Sequence, residues 1–194
     1  MLRALRPAVV MIALFTLLLG VAYPLAVTGI AQTAFPDQAN GSLVRGPDGA
    51  ILGSALIGQP FAGARYLHPR PSAAGDGYNG AGSSGSNLGP LNEDLKTRVA
   101  ESAAAIRVEE GAGAVPADAV TTSASGLDPD ISPAYARLQA QRIAAARGVS
   151  VQEVQSVIDN HTRGALLGFI GQPHVNVLLT NQALDARFPV APAA

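Results

Sequence analysis

The stretch AVVMIALFTLLLGVAYPLAV, residues 8–27, is almost wholly apolar and lies inside a longer run without any charged side chain, residues 7–36. A helix needs about 20 such residues to cross the roughly 30 Å hydrocarbon core of a bilayer. A helix also satisfies its own backbone hydrogen bonds there. The sequence therefore predicts a cytoplasmic N-terminus over residues 1–7, a transmembrane helix over 8–30 and an extracytoplasmic (periplasmic) domain over 31–194.

A cleaved signal peptide is the alternative interpretation of the same segment. Signal peptides combine a basic start with an apolar core of about 7–15 residues and a small-residue cleavage site. Arg3 and Arg6 supply the basic start, and residues 29–31 resemble a cleavage site. The apolar run is too long for a signal peptide, which favours a retained anchor.

Both interpretations send the rest of the chain across the membrane. Arg3 and Arg6 precede the apolar run, and the positive-inside rule keeps basic residues in the cytoplasm. We therefore expect a single-pass membrane protein with a cytoplasmic N-terminus and with lipid around its anchor.

Composition limits the classes of protein that this chain can belong to. A formal net charge of −1 argues against a nucleic-acid partner. The absence of cysteine excludes disulfides and thiolate chemistry. About 160 residues follow the anchor, which is enough for one domain with a real core.

Periodicity and turn residues predict a mixed α/β (α+β) domain. Asn92, Ser132-Pro133 and the capping box Ser150–Glu153 are helix starts, and Gly148 is a helix stop. The predicted elements are strands at 40–45 and 50–54, an extended piece at 61–67, helices from 92, 132 and 150, a strand at 175–179 and a short helix at 181–187. Between them, residues 69–90 form a long Gly/Ser/Pro/Asn-rich loop, and loops of this length are usually functional or disordered.

Catalytic motifs are weak in this chain. Residues 80–85 match G-x-G-x-x-G, but a Gly/Ser loop precedes the match and Pro90 follows it, so the strand and helix of a dinucleotide site are missing. No P-loop motif G-x-x-x-x-G-K-[ST] occurs. The three histidines lack metal-ligand spacing. We expect no catalytic residue, no metal ligand and no cofactor-binding residue here.

A membrane-tethered extracytoplasmic hydrolase acting alone is the alternative function. His68 could be combined with Asp76 or Asp128 and one of many serines, but no G-x-S-x-G elbow is present. His68 and Arg70 alternate with two prolines that stiffen the backbone. The simpler interpretation is a rigid loop whose polar side chains bond to nearby carbonyls.

Several blocks, in order along nearly the whole chain, resemble the C subunit of the bacterial Kdp potassium-transporting P-type ATPase. They are GSALIGQ (53–59), HPRPSA (68–73), SGSNL (84–88), TSASGLD (122–128), Gln139 with Arg142, GQP (171–173) and NQALD (181–185). Asp130, Tyr135 and the alanine-rich end depart from the pattern of that family.

The resemblance implies a non-catalytic accessory subunit of a high-affinity potassium uptake pump. Its implied partners are a P-type ATPase pump subunit, a channel-like subunit and a small membrane subunit. Its implied roles are assembly and stability of the complex, with a proposed effect on the ATP affinity of the pump subunit. ATP and potassium then belong to the complex and not to this chain.

Polar groups in the matched blocks are the candidate docking or ion-entrance residues. Loops held by their own polar side chains can present a shaped docking surface. Their alternative role is local hydrogen bonding. The candidates are Gln59, His68, Arg70, Asn79, Ser86, Asn87, Asp128 and Arg142. In the membrane helix, Gly20 and Ala22 allow close approach of a neighbouring helix.

Overall fold

A computed structural model describes residues 2–189 of the chain. By internal contacts the protein divides into two units, Met1–Leu43 and Val44–Ala194. The first unit is dominated by helix α1 (Leu2–Leu17), a π-helical segment (Leu18–Ala22) and helix α2 (Tyr23–Ala34), and it ends with the short helix α3 (Pro36–Ala39).

One continuous helix results from α1, the π-helical segment and α2. It is the one helix among residues 2–189 that is long and apolar enough to cross a membrane, over Arg3–Ala34. It extends beyond the predicted 8–30 at both ends. Residues 3–30 are exposed in the isolated chain, as expected for a segment whose natural surroundings are lipid or neighbouring helices.

The π-helical segment has a local cause in Pro24. A proline inside a helix has no N–H, and its ring clashes with the carbonyl four residues earlier, here that of Gly20. The Tyr23 N–H bonds to the Leu18 carbonyl, five residues back, which is the π-type spacing that accommodates the proline.

The second unit is a small α+β domain. Its two-stranded sheet is β1 (Leu43–Arg45) with β2 (Ile51–Ser54), and its three-stranded sheet has the order β3 (Asp130–Ile131), β5 (His174–Asn176), β4 (Thr162–Arg163). Both pairs in the larger sheet are antiparallel, with Val175 opposite Ile131 on one side and Thr162 on the other. The helices are α4 (Glu93–Glu110), α5 (Ala117–Val120), α6 (Pro133–Leu138), α7 (Ala140–Arg147), α8 (Val151–Asn160) and α9 (Val177–Arg187).

Helix boundaries follow the capping residues in the sequence. Asn92 accepts hydrogen bonds from the backbone of Asp94 and Leu95 at the start of α4. Ser132 caps α6, and Ser150 with Glu153 forms the predicted capping box of α8. These predicted starts are confirmed, although the helix predicted from residue 132 is interrupted at Gln139, where α6 ends and α7 begins.

The strand predicted over residues 175–179 is wrong in its second half. The apolar residues 177–179 follow Asn176, but the Asn176 side chain accepts a hydrogen bond from the Leu179 N–H and so caps α9 at Val177. The extended piece predicted at 61–67 is wrong in its middle, because residues 63–66 form a turn, and it belongs to no strand.

The core of the domain lies where α6, α7, α8 and α9 meet strand β5. Its fully buried apolar side chains include Leu67, Ala136, Ala140, Ile143, Val154, Ile158, Val175 and Leu184. Leu67 is the one member of this group from the first half of the domain. Because Leu67 is buried, the chain on either side of it is anchored to the core. This stretch leads directly into the long loop, residues 69–90.

Candidate functional site

Residues 64–70, here called the clamped segment, have no sheet partner and begin within a turn that the Tyr66 N–H closes onto the Gly63 carbonyl at 3.2 Å. Side chains take the hydrogen bonds that a neighbouring strand would supply. The buried Gln139 accepts from the His68 N–H at 2.7 Å and donates to the His68 carbonyl at 3.1 Å. A carboxamide offers one acceptor and a donor side by side, so it can substitute for a peptide group of a partner strand.

Asn181 on α9 repeats the same arrangement one residue earlier. Its Oδ1 accepts from the Leu67 N–H at 2.7 Å, and its Nδ2 donates to the Leu67 carbonyl at 3.0 Å. Leu67 and Asn181 are both buried. Two successive residues are therefore held by two buried amides, one from the α6–α7 junction and one from α9.

Two arginines of α7 hold the beginning of the clamped segment. Arg142 donates through Nη1 to the carbonyls of Ala64 at 2.9 Å and Tyr66 at 3.0 Å. Arg147 donates through Nε to the carbonyl of Arg65 at 2.8 Å. The carbonyls of residues 64–68 are thus all bonded to side chains.

An acidic cluster at the end of α4 holds Arg142 in place. The Arg142 Nε lies 2.8 Å from Glu110 Oε1 and 3.4 Å from Glu109 Oε1, and the His68 Nδ1 lies 3.5 Å from the same Glu109 oxygen. Burial raises the pKa of Glu110 above its usual value, although the hydrogen bond from Arg142 opposes the shift. Burial likewise raises the pKa of Tyr135 close by.

A cavity of about 370 Å³ lies against the clamped segment. The residues that line it are Pro60, Phe61, His68, Pro69, Arg70, Pro71, Tyr78, Ser102, Ala105, Ile106, Ala119 and Tyr135. Most of its wall is apolar, and few polar groups face it. Pockets of this kind bind apolar groups and orient them by a small number of polar contacts.

Arg70 supplies the positive charge at this cavity. Its Nη1 pairs with Asp128 Oδ2 at 2.7 Å, and its Nε donates to the Thr121 carbonyl at 3.3 Å. The Tyr78 hydroxyl donates to the Arg70 carbonyl. Burial raises the pKa of Tyr78 to about 12, so this hydroxyl stays a donor over the whole physiological range.

The long loop is fastened to the loop that carries Asp128. Ser72 Oγ donates to the Gly126 carbonyl at 2.6 Å and accepts from the Tyr78 N–H at 2.8 Å. Gly126 has a φ of 66°, and a Cβ there would lie 2.6 Å from the Ser84 carbonyl oxygen. Only glycine fits this close approach.

The candidate residues are distributed unevenly. Arg70 and Asp128 form one ion pair, and His68 and Arg142 meet at Glu109. Gln59 lies apart from these pairs and donates to the Leu52 carbonyl at 3.1 Å. The preceding residue, Gly58, lies so close to Asp128 that a Cβ on Gly58 would be 2.5 Å from the Asp128 carbonyl oxygen.

The remaining three candidates lie on the long loop. Asn79 and Asn87 are exposed and Ser86 is half-buried. The Asn79 side chain accepts from the Ala81 N–H at 3.0 Å, which is a local turn contact. The structure does not gather these three around the cavity, and their docking role stays a prediction.

Reasoning from the sequence missed Gln139, Asn181 and Arg147 as the residues that hold the clamped segment. All three are polar residues buried among the apolar residues of the core. A polar residue in such a position is stable only when it has a buried partner.

The hydrolase alternative finds no support in this geometry. The His68 ring faces the Gly63 carbonyl at 3.1 Å and Glu109, whereas Asp128 is paired with Arg70. Among residues 2–189, no group of three or more His, Asp or Glu side chains comes together to hold a metal ion.

Comparison with known proteins now decides the family. The family model KdpC, described as "K+-transporting ATPase, c chain", matches residues 5–186. The chain belongs to the KdpC family. KdpC proteins are accessory subunits of the potassium-transporting ATPase, and the catalytic subunit is a different chain.

Curated KdpC relatives align over nearly their whole length. The potassium-transporting ATPase KdpC subunit of Caulobacter vibrioides is 65% identical over 189 residues, covering 97% of this chain and 96% of that protein. Those of Beijerinckia indica and Mycobacterium tuberculosis are 62% and 55% identical, covering 98% and 94% of this chain and 97% and 98% of the relatives.

Replacing Gln139 by leucine tests whether the hydrogen bonds to the clamped segment stabilise this KdpC chain. The Gln139→Leu variant leaves the His68 N–H and carbonyl without partners, so we expect the free energy of unfolding to fall by about 2–4 kcal/mol. Urea unfolding of the full chain in detergent measures it. Gln141→Leu makes the same change at an exposed position and should cost less than about 0.5 kcal/mol. Equal losses in the two variants would contradict the role of the clamp.

The raised pKa of Glu110 predicts how stability depends on pH. Above the ordinary pKa of 4.5 the unfolded chain loses this proton while the folded chain still holds it. The contribution of Glu110 to stability therefore increases as pH falls from neutral towards 4.5. Denaturant midpoints across this range should show a weaker pH dependence for Glu110→Gln than for the parent chain. Glu101→Gln, elsewhere on α4, should keep the slope contributed by Glu110.

Proposed function

We propose that this chain is the non-catalytic accessory subunit of an ATP-driven, high-affinity potassium uptake pump, needed for assembly and stability of the complex. Its proposed partners are the pump subunit, the channel-like subunit and a small membrane subunit, with lipid around its anchor. The family match over residues 5–186 carries this proposal. The domain supports it, because its polar side chains hold loops in place: Arg70 pairs with Asp128, and Ser72 bonds to the Gly126 carbonyl.

In this proposal the protein spans the inner membrane once, with residues 1–7 in the cytoplasm, 8–30 in the bilayer and 31–194 outside. The distribution of charge supports that orientation. Arg3 and Arg6 precede the apolar stretch, residues 8–27, and the first charged residue after that stretch is Asp37. Basic residues next to a membrane span favour the cytoplasmic side.

The cavity beside the clamped segment is the proposed docking or ion-entrance surface of the domain. Arg70 and Asp128 are partly exposed, with 22% and 29% of their side chains accessible, so a partner can reach them. Arg142 is 9% exposed and fully engaged, so its proposed contribution is to hold the clamped segment in position.

An effect on the ATP affinity of the pump subunit would be indirect in this topology. About seven residues reach the cytoplasm, which is too few for a nucleotide site. The coupling would pass through the membrane helix to its neighbours, and couplings of this kind are typically about 1–3 kcal/mol.

The orientation can be tested cleanly because the chain contains no cysteine. We expect Leu91→Cys, at a residue that is 83% exposed in the domain, to react with a membrane-impermeant maleimide in right-side-out vesicles. Ala4→Cys should react only after the vesicles are permeabilised. The reverse pattern would contradict the extracytoplasmic domain.

Substitution in the membrane helix tests the subunit role itself. A Cβ at Gly20 would make only an ordinary 3.8 Å contact with Thr16, and a Cβ at Gly29 would meet nothing within 4 Å, so the chain itself tolerates a side chain at both positions. Gly20→Leu should reduce the co-purified ATPase subunits severalfold, because it blocks close helix approach. The measurement is the amount of ATPase subunits that co-purifies with the tagged chain from detergent-solubilised membranes of potassium-starved cells.

Gly29→Leu is the matched control for this experiment, and it should leave the yield of complex and the potassium-stimulated ATP hydrolysis unchanged. A parent chain that elutes alone would contradict the subunit role. Equal yields from both variants would show that Gly20 lies away from the partner helices.

A further inference from the structure

The long loop, residues 69–90, contains the dipeptide Asn79-Gly80, and both of its residues are exposed. In such a pair the backbone nitrogen of the second residue can attack the side-chain carbonyl carbon of the asparagine and close a five-membered succinimide ring. Glycine obstructs this attack least, because it has no Cβ and its backbone adapts most easily. Whether a given pair reacts depends on which of its groups are already engaged in hydrogen bonds.

The attacking nitrogen of Gly80 is not engaged. An Asn or Asp precedes glycine at four places among residues 2–189, namely 40–41, 48–49, 76–77 and 79–80. In the first three pairs the glycine N–H donates to a backbone carbonyl: Gly41 to Gln38 at 3.1 Å, Gly49 to Gly46 at 3.0 Å and Gly77 to Ala74 at 3.0 Å. The Gly80 N–H makes no hydrogen bond within the described part of the chain. This nitrogen can therefore approach a neighbouring carbonyl carbon without first losing a partner.

The side chain of Asn79 is arranged to receive the attack. Its Oδ1 accepts a hydrogen bond from the Ala81 N–H at 3.0 Å, which directs the side chain towards the backbone that follows it, where the Gly80 nitrogen lies. Attack on Cγ places negative charge on this oxygen. A donor that is already aimed at the oxygen stabilises that charge as it develops.

Asn40-Gly41 is the same dipeptide in the opposite state. Asn40 is exposed as well, but its Nδ2 donates to the Pro36 carbonyl at 2.7 Å and to Gln32 Oε1 at 3.2 Å. Together with the bond from the Gly41 N–H, at least three hydrogen bonds hold this pair away from ring closure. Breaking them first slows the reaction, so we expect Asn40 to react more slowly than Asn79 by about tenfold or more.

We propose that Asn79 is a site of spontaneous deamidation. The Gly80 nitrogen loses its proton to hydroxide and forms a bond to the Asn79 Cγ. The bond from Cγ to Nδ2 then breaks, and Nδ2 takes up a proton and leaves as ammonia. Water opens the succinimide at either of its carbonyls and leaves aspartate or isoaspartate at this position. The net reaction consumes one water, releases one ammonia and involves no oxidation or reduction.

The product changes both the charge and the shape of the long loop. A carboxylate replaces a neutral amide directly after Tyr78, which lines the cavity beside the clamped segment. The isoaspartate form also adds one carbon to the backbone inside a turn. That turn is closed by the bonds from the Asn79 N–H to the Ala74 carbonyl at 3.0 Å and from the Gly82 N–H to the Asn79 carbonyl at 2.9 Å. This inference does not depend on the proposed function.

Peptide mapping by mass spectrometry tests the site directly. The full chain in detergent is incubated in heavy-oxygen water and then digested in ordinary water at mildly acidic pH, so that only conversion during the incubation carries the label. We expect labelled aspartate and isoaspartate at position 79, formed faster as pH rises because the attacking nitrogen must lose its proton. Asn40 in the same sample should convert more slowly by about tenfold or more. Equal rates at the two positions, or no labelled product at position 79, would overturn the proposal.

A substitution at the attacking residue tests the route. A Cβ at Gly80 would meet nothing within 4 Å, and Gly80 is not among the residues with a positive φ, so the fold accepts alanine there. Gly80→Ala should slow conversion of Asn79 severalfold, because the added methyl group obstructs the attack. Gly89→Ala is the matched control in the same loop, where a Cβ also meets nothing within 4 Å, and it should leave the rate unchanged. An unchanged rate in Gly80→Ala would show that the Gly80 nitrogen does not attack Asn79.

Discussion

The hydrogen bonds made to residues 64–68 are the constraint on which the rest of the domain depends. A chain that enters the core, as this one does at Leu67, must find partners for its N–H and carbonyl groups, and a common solution is an adjacent strand. Here the solution is a set of side chains: Gln139 for His68, Asn181 for Leu67, and two arginines for the carbonyls before them. Because these side chains come from the Gln139 junction, α7 and α9, the clamped segment joins helices that are distant in sequence. The chain has no disulfide to make such a connection.

Arginine suits this task far better than lysine does, and the composition of the chain reflects that. Arg142 reaches two carbonyls, the Gln139 side chain and the Glu110 carboxylate from one planar group. Arg147 reaches the carbonyls of Arg65, Leu184 and Phe188 in the same manner. A lysine ammonium is a compact charge without this fixed fork of donors. Lys96 is the only lysine of the chain, and it pairs with Glu93 at the surface of α4.

Helix ends that depend on a few neighbouring residues could be predicted from the sequence. The cap at Asn92, the Ser132-Pro133 start, the capping box at Ser150 and the stop at Gly148 each depend on a few neighbouring residues, and each is confirmed. The sequence marked Arg70 and Asp128 as two separate candidate residues, and it did not indicate that they form an ion pair. The two errors have different causes. The strand predicted through residue 179 ends because Asn176 caps a helix through the Leu179 N–H, a local signal that the alternation of apolar residues outweighed in the prediction. Residues 64–67 are held by side chains more than 70 positions away, and no window of neighbouring residues contains that information.

The hydrogen bonds to the clamped segment also explain how a domain with only short strands can offer an ordered surface to a partner. His68 is fixed through its backbone, so Pro69, Arg70 and Pro71 leave the core in a set direction and form one wall of the cavity. The Tyr78 hydroxyl bonds to the Arg70 carbonyl, and Ser72 joins the long loop to Gly126. The order imposed inside the core is therefore carried outward along the chain to the polar loops. Surfaces ordered before binding lose less entropy when a partner arrives. An accessory subunit contributes to a complex through surfaces of this kind, and here their order begins at the buried amides of Gln139 and Asn181.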